Sequence, residues 1–257
     1  MELFAGIAEE LIAGSIGTVL GYSFKYSHDK YKKKWLQKNI REFFNISASS
    51  IVIVHSAIFD ESRCAYNFPS CDSRSSRIIS KLFESVKMTE GQDFSITYAD
   101  QFVNNNQTVK KEIWENDLIL LCSPKRNPVT GVVIESIPNA RYKLFVDENT
   151  NETIIFDNER NERLVSSRDN NAYDNTDNHQ GYDFGLILNM KNPHNILKSI
   201  TILAGIHGAG TLGAAMFLSD PNNLSELNKR RNNGIIQEIV RAEYSGENEN
   251  LTTIKLV

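Results

Sequence analysis

The chain has 257 residues, of which 40% are hydrophobic and 23% charged, and its formal net charge is −4. This length is enough to bury a substantial core, and the composition is ordinary for a globular protein. The negative balance argues against a generally basic nucleic-acid-binding protein, so direct nucleic-acid binding is not expected. The three cysteines have no matched second pair or histidine cluster beside them, so they indicate neither a disulfide framework nor a metal site.

The first segment, residues 1–24, is mostly apolar and long enough to span a bilayer as a helix. Glu9 and Glu10 would be costly in contact with lipid. They lie on the same helix face as small residues, among which Gly17 and Gly21 have the G-x-x-x-G spacing of closely packed membrane helices. We therefore expect a membrane anchor that self-associates into a homo-oligomer. The alternative is a soluble amphipathic helix packed on the domain or on a partner subunit.

A basic linker helix, residues 25–45, is expected next. Between residues 25 and 41, seven basic residues accompany a single acidic one. Basic residues flanking a membrane span mark its cytoplasmic side. We therefore expect residues 46–257 to form a cytoplasmic domain on a membrane-associated protein.

The first half of this domain shows alternating strand and helix patterns. Strands are predicted at "SIVIVHS", "FSITYAD" and "DLILLCS". A helix with Asp72 as its N-cap is predicted after the first strand, and a second helix over 105–116 after the next. This β-α-β-α-β order is typical of a Rossmann-like, mostly parallel sheet with flanking helices.

The second half adds other elements to the α/β domain. After a loop and short helix at "PKRNPVTGVVIES", the segments "RYKLFVD" and "ETIIFD" predict an inserted β-hairpin. The polar run from 166 to 182 predicts a mobile loop. Two more strands, "DFGLILNM" and "SITILAGI", precede a helix, and "IIQEIVRAEY" with "LTTIKLV" predicts a closing C-terminal hairpin.

Three loops that follow predicted strands contain residues suited to binding an anionic ligand. In open α/β sheets, ligands bind beyond the carboxyl ends of the strands, where these loops are expected to meet. The third loop contains a G-x-G-x-x-G sequence from Gly208 to Gly213, whose glycines permit close backbone approach and positive φ at a helix N-terminus. The candidate ligand-binding residues are His55 and Asp60 in the first loop, Ser123, Lys125, Arg126 and Asn127 in the second, and Gly205, His207, Gly208, Gly210 and Thr211 in the third.

The glycine motif does not predict a conventional NAD-dependent dehydrogenase. A dinucleotide fingerprint opens its domain and is followed about 20 residues later by an acidic residue. Here the motif lies late in the chain, and the corresponding region is "NKRRNNG". No particular cofactor is therefore predicted.

An apolar N-terminal helix joined to a Rossmann-like domain with the loops "HSAIFDE", "SPKRNP" and "AGIHGAGT" resembles a known group of proteins. These are the membrane-tethered TIR-like and SLOG-like nucleotide-sensing effectors of prokaryotic conflict systems. The resemblance implies an oligomeric sensor or effector that binds a nucleotide-type ligand in antiviral defence.

Two alternatives remain open at this stage. The first is a nucleosidase or NAD glycohydrolase that uses Asp60, Glu61 or His207 for acid–base catalysis. The second is a structural or pore-forming oligomer in which the three loops are only turns.

Overall fold

The computed structural model describes residues 30–46, 50–56, 58–60, 65–67, 70–104, 108–138, 140–169, 180–245 and 250–257. The expected anchor at 1–24 and most of the expected mobile loop, residues 170–179, lie outside this set. None of the helices within it is both long and apolar enough to cross a membrane.

The described elements alternate in the first half and become mainly antiparallel strands in the second. Five helices are α1 (30–44), α2 (Ser70–Ser85), α3 (Pro128–Glu135), α4 (Gly208–Ser219) and α5 (Pro221–Lys229). Two 3₁₀ helices span Ala99–Phe102 and Lys111–Glu115. The strands are β1 (Ile51–His55), β2 (Ile58–Asp60), β3 (Ala65–Asn67), β4 (Phe94–Tyr98), β5 (Asp117–Leu121), β6 (Tyr142–Val146), β7 (Thr153–Asp157), β8 (Glu162–Leu164), β9 (Gly181–Asn192), β10 (Asn195–Gly205), β11 (Ile236–Ser245) and β12 (Asn250–Leu256).

The fold is mixed α/β, built on a seven-stranded sheet of order β12-β11-β9-β10-β5-β1-β4. β4, β1, β5 and β10 are parallel neighbours, whereas β9 runs antiparallel between β10 and β11. Five of the seven strands therefore point in one direction, which confirms a mostly parallel sheet. The C-terminal hairpin β11–β12 is confirmed and forms one end of it.

Apolar layers cover both faces of this sheet. One layer combines buried side chains of α1, α2, α4 and α5, and the other combines α3 with the separate three-stranded sheet β6-β7-β8. The predicted hairpin insertion is confirmed and gains the third strand β8. The insertion therefore closes the core on the face that α3 covers only in part.

Two predictions about the first half are wrong. Within the described part of 105–116 there is no α-helix, only the 3₁₀ helix Lys111–Glu115, because Trp114 stacks on His194 with ring centroids 4.2 Å apart. This contact, and a hydrogen bond from Asn192 Nδ2 to the Trp114 carbonyl, hold the segment against the β9–β10 turn. Asp72 is not the residue before α2, because that helix begins at Ser70.

Helix α1, the described part of the basic linker, is bonded to the sheet at its C-terminal end. Phe43 and Phe44 are buried in the core. The Ser199 hydroxyl donates to the Phe44 carbonyl at 2.9 Å, and the Arg231 guanidinium donates to the Phe43 carbonyl at 3.0 Å. These two bonds satisfy carbonyls that the end of a helix leaves without partners. Because Ser199 lies near the amino end of β10, α1 ends at that edge of the sheet.

Candidate functional site

The carboxyl ends of β1, β5 and β10 meet at one edge of the sheet, because these strands are parallel neighbours. From β1 the chain passes to β4 on one side, whereas β5 lies on the other side of β1. The strand order therefore reverses between β1 and β5. In open α/β sheets this is the point at which ligands bind.

A cavity of about 260 Å³ lies at this edge, between the loop after β5 and the loop after β10. Seven of the predicted ligand-binding residues line it, namely Ser123, Lys125, Arg126, Gly205, His207, Gly208 and Thr211. The other lining residues are Asp72, Cys122, Thr153, Arg168 and Ile206. The structure thus brings the second and third predicted loops together around one space.

Within the cavity wall, the N-terminus of α4 is capped by the chain itself. The buried Asp183 carboxylate, on β9, accepts the N–H groups of Gly210 at 2.6 Å and His207 at 3.0 Å through Oδ2, and that of Phe184 at 2.8 Å through Oδ1. Helix N-termini attract anions because their first N–H groups are unpaired. Here two of those groups already bind a carboxylate, so the glycine motif is not an open phosphate cradle.

The glycines of this motif allow close packing instead. A Cβ added to Gly210 would lie 2.1 Å from the Phe184 carbonyl oxygen, and one added to Gly205 would lie 2.4 Å from the Thr211 nitrogen. The Thr211 hydroxyl also accepts the Gly205 N–H at 2.9 Å. None of these glycines has a positive φ, so the structure uses the close backbone approach that glycine permits and not its left-handed conformations. Their role in the structure is to bring α4 against β9 and β10.

Basic side chains provide the positive charge at the cavity. Arg126 is exposed and forms no ion pair with any described residue. Lys125 is exposed as well, and its Nζ donates to the Asn151 carbonyl in the β6–β7 turn. Arg168 lies over the Tyr244 ring, with its Cζ 5.9 Å from the ring centroid.

His207 also lines the cavity, and its Nε2 lies 2.9 Å from Asp169 Oδ1. Three arginine or lysine side chains and one histidine thus converge on a small volume.

A buried polar cluster forms the wall of the cavity beside β1 and β5. The Ser56 hydroxyl donates to Asp72 Oδ2, and the Cys122 thiol also bonds this carboxylate. Burial raises the pKa of Asp72 despite these two donors and the nearby Arg126 charge. Burial likewise raises the pKa of the Cys122 thiol, and Asp72 raises it further, so this cysteine is a protonated thiol at neutral pH. Cys122 has φ +86°, which turns the chain sharply from β5 into the Lys125 loop.

Four predicted residues do not line the cavity. His55 faces a different groove, of about 450 Å³, and its ring packs on Tyr98 at 5.0 Å between centroids. Asn127 is fully buried and caps α3, because its side chain accepts the Val129 N–H and donates to the Leu121 carbonyl. Gly210 is bonded to Asp183, as described above. Asp60 lies in β2, but its side chain is outside the described part of the structure.

Sequence reasoning missed the most informative structural residues. Asp183 is the one charged residue in a mostly apolar stretch, "DFGLILNM", and this isolated charge could have marked it as a residue with a special role. Asp72 was interpreted only as a helix cap. A role of Arg168 at the cavity could not be predicted from the sequence, because Arg168 lies in a polar run that has only the features of a loop.

No protein-family model matches this chain, and a search of curated proteins found no match to its sequence. The predicted resemblance to TIR-like and SLOG-like effectors therefore stays a prediction. The fold and the site together define only a coarse class: a Rossmann-like α/β domain with a cationic cavity at the carboxyl ends of β5 and β10, next to the point where its strand order reverses. The alternative of a nucleosidase also stays a prediction, since Asp60 and Glu61 have no described side chains and His207 is paired with Asp169.

Proposed function

We propose that this chain is a membrane-associated, oligomeric sensor or effector whose α/β domain binds a small phosphate-bearing ligand, of nucleotide type, in the cavity at the carboxyl ends of β5 and β10. The single observation that supports it most is the convergence of the Lys125–Arg126 loop and the β10–α4 loop on this cavity. Prokaryotic antiviral defence is the setting that the sequence resemblance suggests.

Arg126 is the central residue of this proposal. An arginine fork binds phosphate through two parallel N–H···O bonds. Arg126 forms no ion pair with a described residue, so it breaks no such pair when it turns to a ligand. Lys125, tethered to Asn151, adds a second positive charge whose position is already fixed. Since Asp183 occupies the N-terminus of α4, side chains rather than backbone N–H groups provide most of the attraction.

The volume restricts the ligand. Pockets for drug-sized molecules have volumes of about 300–1,000 Å³, so a space of about 260 Å³ fits a phosphate with a small attached group. The buried Asp72 carboxylate also lines this cavity, where it could accept a hydrogen bond from a hydroxyl group of the ligand. A phosphorylated sugar or a mononucleotide has both groups.

The proposed output is a change in how the N-terminal segments associate. Helix α1 is joined to the sheet by Ser199 and Arg231, and residues 1–29 precede it directly in the chain. A movement of the domain would therefore move α1 and the N-terminal segment with it. A ligand causes such a change if it binds one association state of the N-terminal segments more tightly than the other.

Thermal unfolding of the full chain with a panel of ligands tests this proposal. The panel contains inorganic phosphate, pyrophosphate, ribose 5-phosphate, mononucleotides and NAD. At least one phosphate-bearing compound should raise the unfolding temperature of the wild type, since ligands that bind only the folded state stabilise it. The variant Arg126→Gln should lose this response, whereas Arg74→Gln, which changes an exposed arginine on α2, should keep it. No response in the wild type, or an equal response in both variants, would overturn the proposal.

A further inference from the structure

We propose that the chain has a second ligand surface, one that docks on an anionic phospholipid bilayer. We call it the lipid-facing surface, and it consists of the basic residues of α1 together with the exposed pair Ile196 and Leu197 at the β9–β10 turn. It is separate from the ligand cavity, and its existence does not depend on what that cavity binds.

Helix α1 concentrates positive charge in a chain that is otherwise acidic. Residues 30–44 contain six basic residues and one acidic residue, Glu42, so the remainder of the chain has a formal charge of −9. The basic residues are Lys30, Lys32, Lys33, Lys34, Lys38 and Arg41, all of them exposed. None of the six forms an ion pair with a described residue. The charge is therefore available to an external partner.

The start of α1 projects from the domain. Five consecutive residues, 30–34, are all exposed, and five residues cover more than one full turn of a helix. The apolar face that packs on the core begins only around Leu36 and continues through Ile40 and Phe43. Tyr31 is 73% exposed among the lysines. Aromatic side chains between lysines are typical of helices that lie in the headgroup region of a membrane.

An exposed aliphatic pair lies at the start of β10, just after the turn that follows β9. Ile196 is 76% exposed and Leu197 is 78% exposed, although both are large aliphatic side chains. Single exposed apolar residues are common on protein surfaces, but these two neighbours, the second and third residues of β10 where its pairing with β9 is irregular, form a small apolar projection. Lys198 follows them directly, and Lys191 is exposed on the preceding strand. Lysine beside exposed aliphatic side chains favours an anionic, partly apolar partner.

The two parts of the lipid-facing surface are connected. Ser199, two residues after Leu197, donates its hydroxyl to the carbonyl of Phe44, the last residue of α1. The turn and the end of α1 therefore belong to the same edge of the sheet. Peripheral membrane binding combines burial of apolar side chains with attraction of basic residues to anionic lipids, and this edge offers both.

A bilayer fits this surface better than a nucleic acid does. The phosphates of DNA or RNA would attract the lysines of α1, but they offer nothing to Ile196 and Leu197. An anionic bilayer accepts the lysines at its headgroups and the two aliphatic side chains below them.

This arrangement also orients the ligand cavity. The lipid-facing turn is at the amino end of β10, whereas the cavity is at its carboxyl end. β10 has 11 residues, and a strand rises about 3.3 Å per residue, so the two ends lie roughly 30 Å apart. The cavity would then open away from the bilayer, where a dissolved ligand reaches it.

Flotation of the full chain with vesicles tests the inference. The vesicles contain phosphatidylcholine alone or phosphatidylcholine with phosphatidylserine, at low and at high salt. The wild type should partition more strongly onto the anionic vesicles, and high salt should remove the difference.

Two variants test the two parts of the surface. Partition onto anionic vesicles should weaken by about 100-fold in the triple variant Lys32→Gln, Lys33→Gln and Lys34→Gln, since each lysine near such a surface contributes about fivefold. The pair Ile196→Asn and Leu197→Asn should weaken partition onto anionic vesicles by at least about tenfold.

A charge-matched control separates this surface from the overall charge. Arg74→Gln, Arg77→Gln and Lys143→Gln together remove the same charge from exposed positions at the start of α2 and on β6, and should leave partition unchanged. If residues 3–24 hold the chain on both kinds of vesicle, trypsin reports the contact instead: cleavage after Lys32 to Lys34 should be slower on anionic than on neutral vesicles.

Three results would overturn the inference. The first is equal loss of partition in the α1 variant and in its charge-matched control. The second is equal partition onto both vesicles together with equal tryptic cleavage. The third is lysine-dependent binding to duplex DNA with no preference for anionic vesicles, which would assign α1 to a nucleic acid. The thermal-shift test of the ligand cavity uses no lipid, so failure of either proposal is visible separately.

Discussion

Replacing Asp183 by alanine tests whether the glycine-rich motif is a structural helix start. The carboxylate of Asp183 accepts three backbone N–H groups, from Phe184, His207 and Gly210, at 2.6–3.0 Å. Its site is buried, so the variant leaves these N–H groups without water to replace the lost acceptor. Burial raises the pKa of Asp183 to about 6, against the effect of His207 and the N–H donors, so the carboxylate is ionised at about pH 8.

The expected loss of stability at about pH 8 is large. Hydrogen bonds to a charged group contribute about 1.5–3 kcal/mol each, and contributions in one network do not add fully. Three such bonds, two of them at the positive end of a helix dipole, give an expected loss of about 4 kcal/mol. This is a large part of the about 5–15 kcal/mol by which folded domains are stable.

Urea unfolding followed by circular dichroism measures the effect. With a slope of about 2–3 kcal/mol per molar urea for a domain of this size, the midpoint should fall by between about 1 and 2 M. Asp220→Ala is the matched control, because Asp220 also caps a helix, α5, but is exposed, and its carboxylate accepts just one N–H among the described residues, that of Asn222. That control should lose about 1 kcal/mol. Equal losses in the two variants would refute the role assigned to Asp183.

Two further variants test the packing and the electrostatics around the site. Gly210→Ala should destabilise the fold by at least about 3 kcal/mol, because the added Cβ would lie 2.1 Å from the Phe184 carbonyl oxygen; a urea midpoint near the wild-type value would contradict this close approach. Burial lowers the pKa of His55 from its usual 6.5. As the pH falls, the unfolded chain therefore binds a proton at His55 at a higher pH than the folded chain does. Stability should therefore fall as the pH drops through about 6.5, and His55→Gln should lack that part of the decline when urea midpoints are compared across the pH range; identical pH profiles would contradict it.

The strands of the site were predictable from the sequence because their signals are local. β1 and β5 are short, mostly apolar runs followed by polar loops, the second half of β10 is an apolar run followed by a glycine-rich loop, and the order of elements predicted that their ends would meet. The segment 105–116 was predicted wrongly for the opposite reason. Its apolar residues have helical spacing, but contacts of Trp114 with the distant His194 determine its conformation.

The glycine motif shows where local signals end. The spacing of Gly208, Gly210 and Gly213 is the same whether the helix start binds a phosphate or packs against a strand. The residue that decides between the two, Asp183, is 27 positions away from Gly210 in the chain. Only the pairing of β9 with β10 brings them together, and that pairing is a property of the fold.

Calorimetric titration of the full chain tests the central claim most directly. The titrant is the phosphate-bearing compound that gives the largest thermal shift, and the proteins are the wild type, Lys125→Gln with Arg126→Gln, and the control Arg74→Gln. A charge-assisted contact contributes about 1.5–3 kcal/mol, so loss of two should weaken binding by at least about 100-fold, while the control stays within about twofold of the wild type. Unchanged affinity in the double variant would contradict the assignment of this cavity as the ligand site.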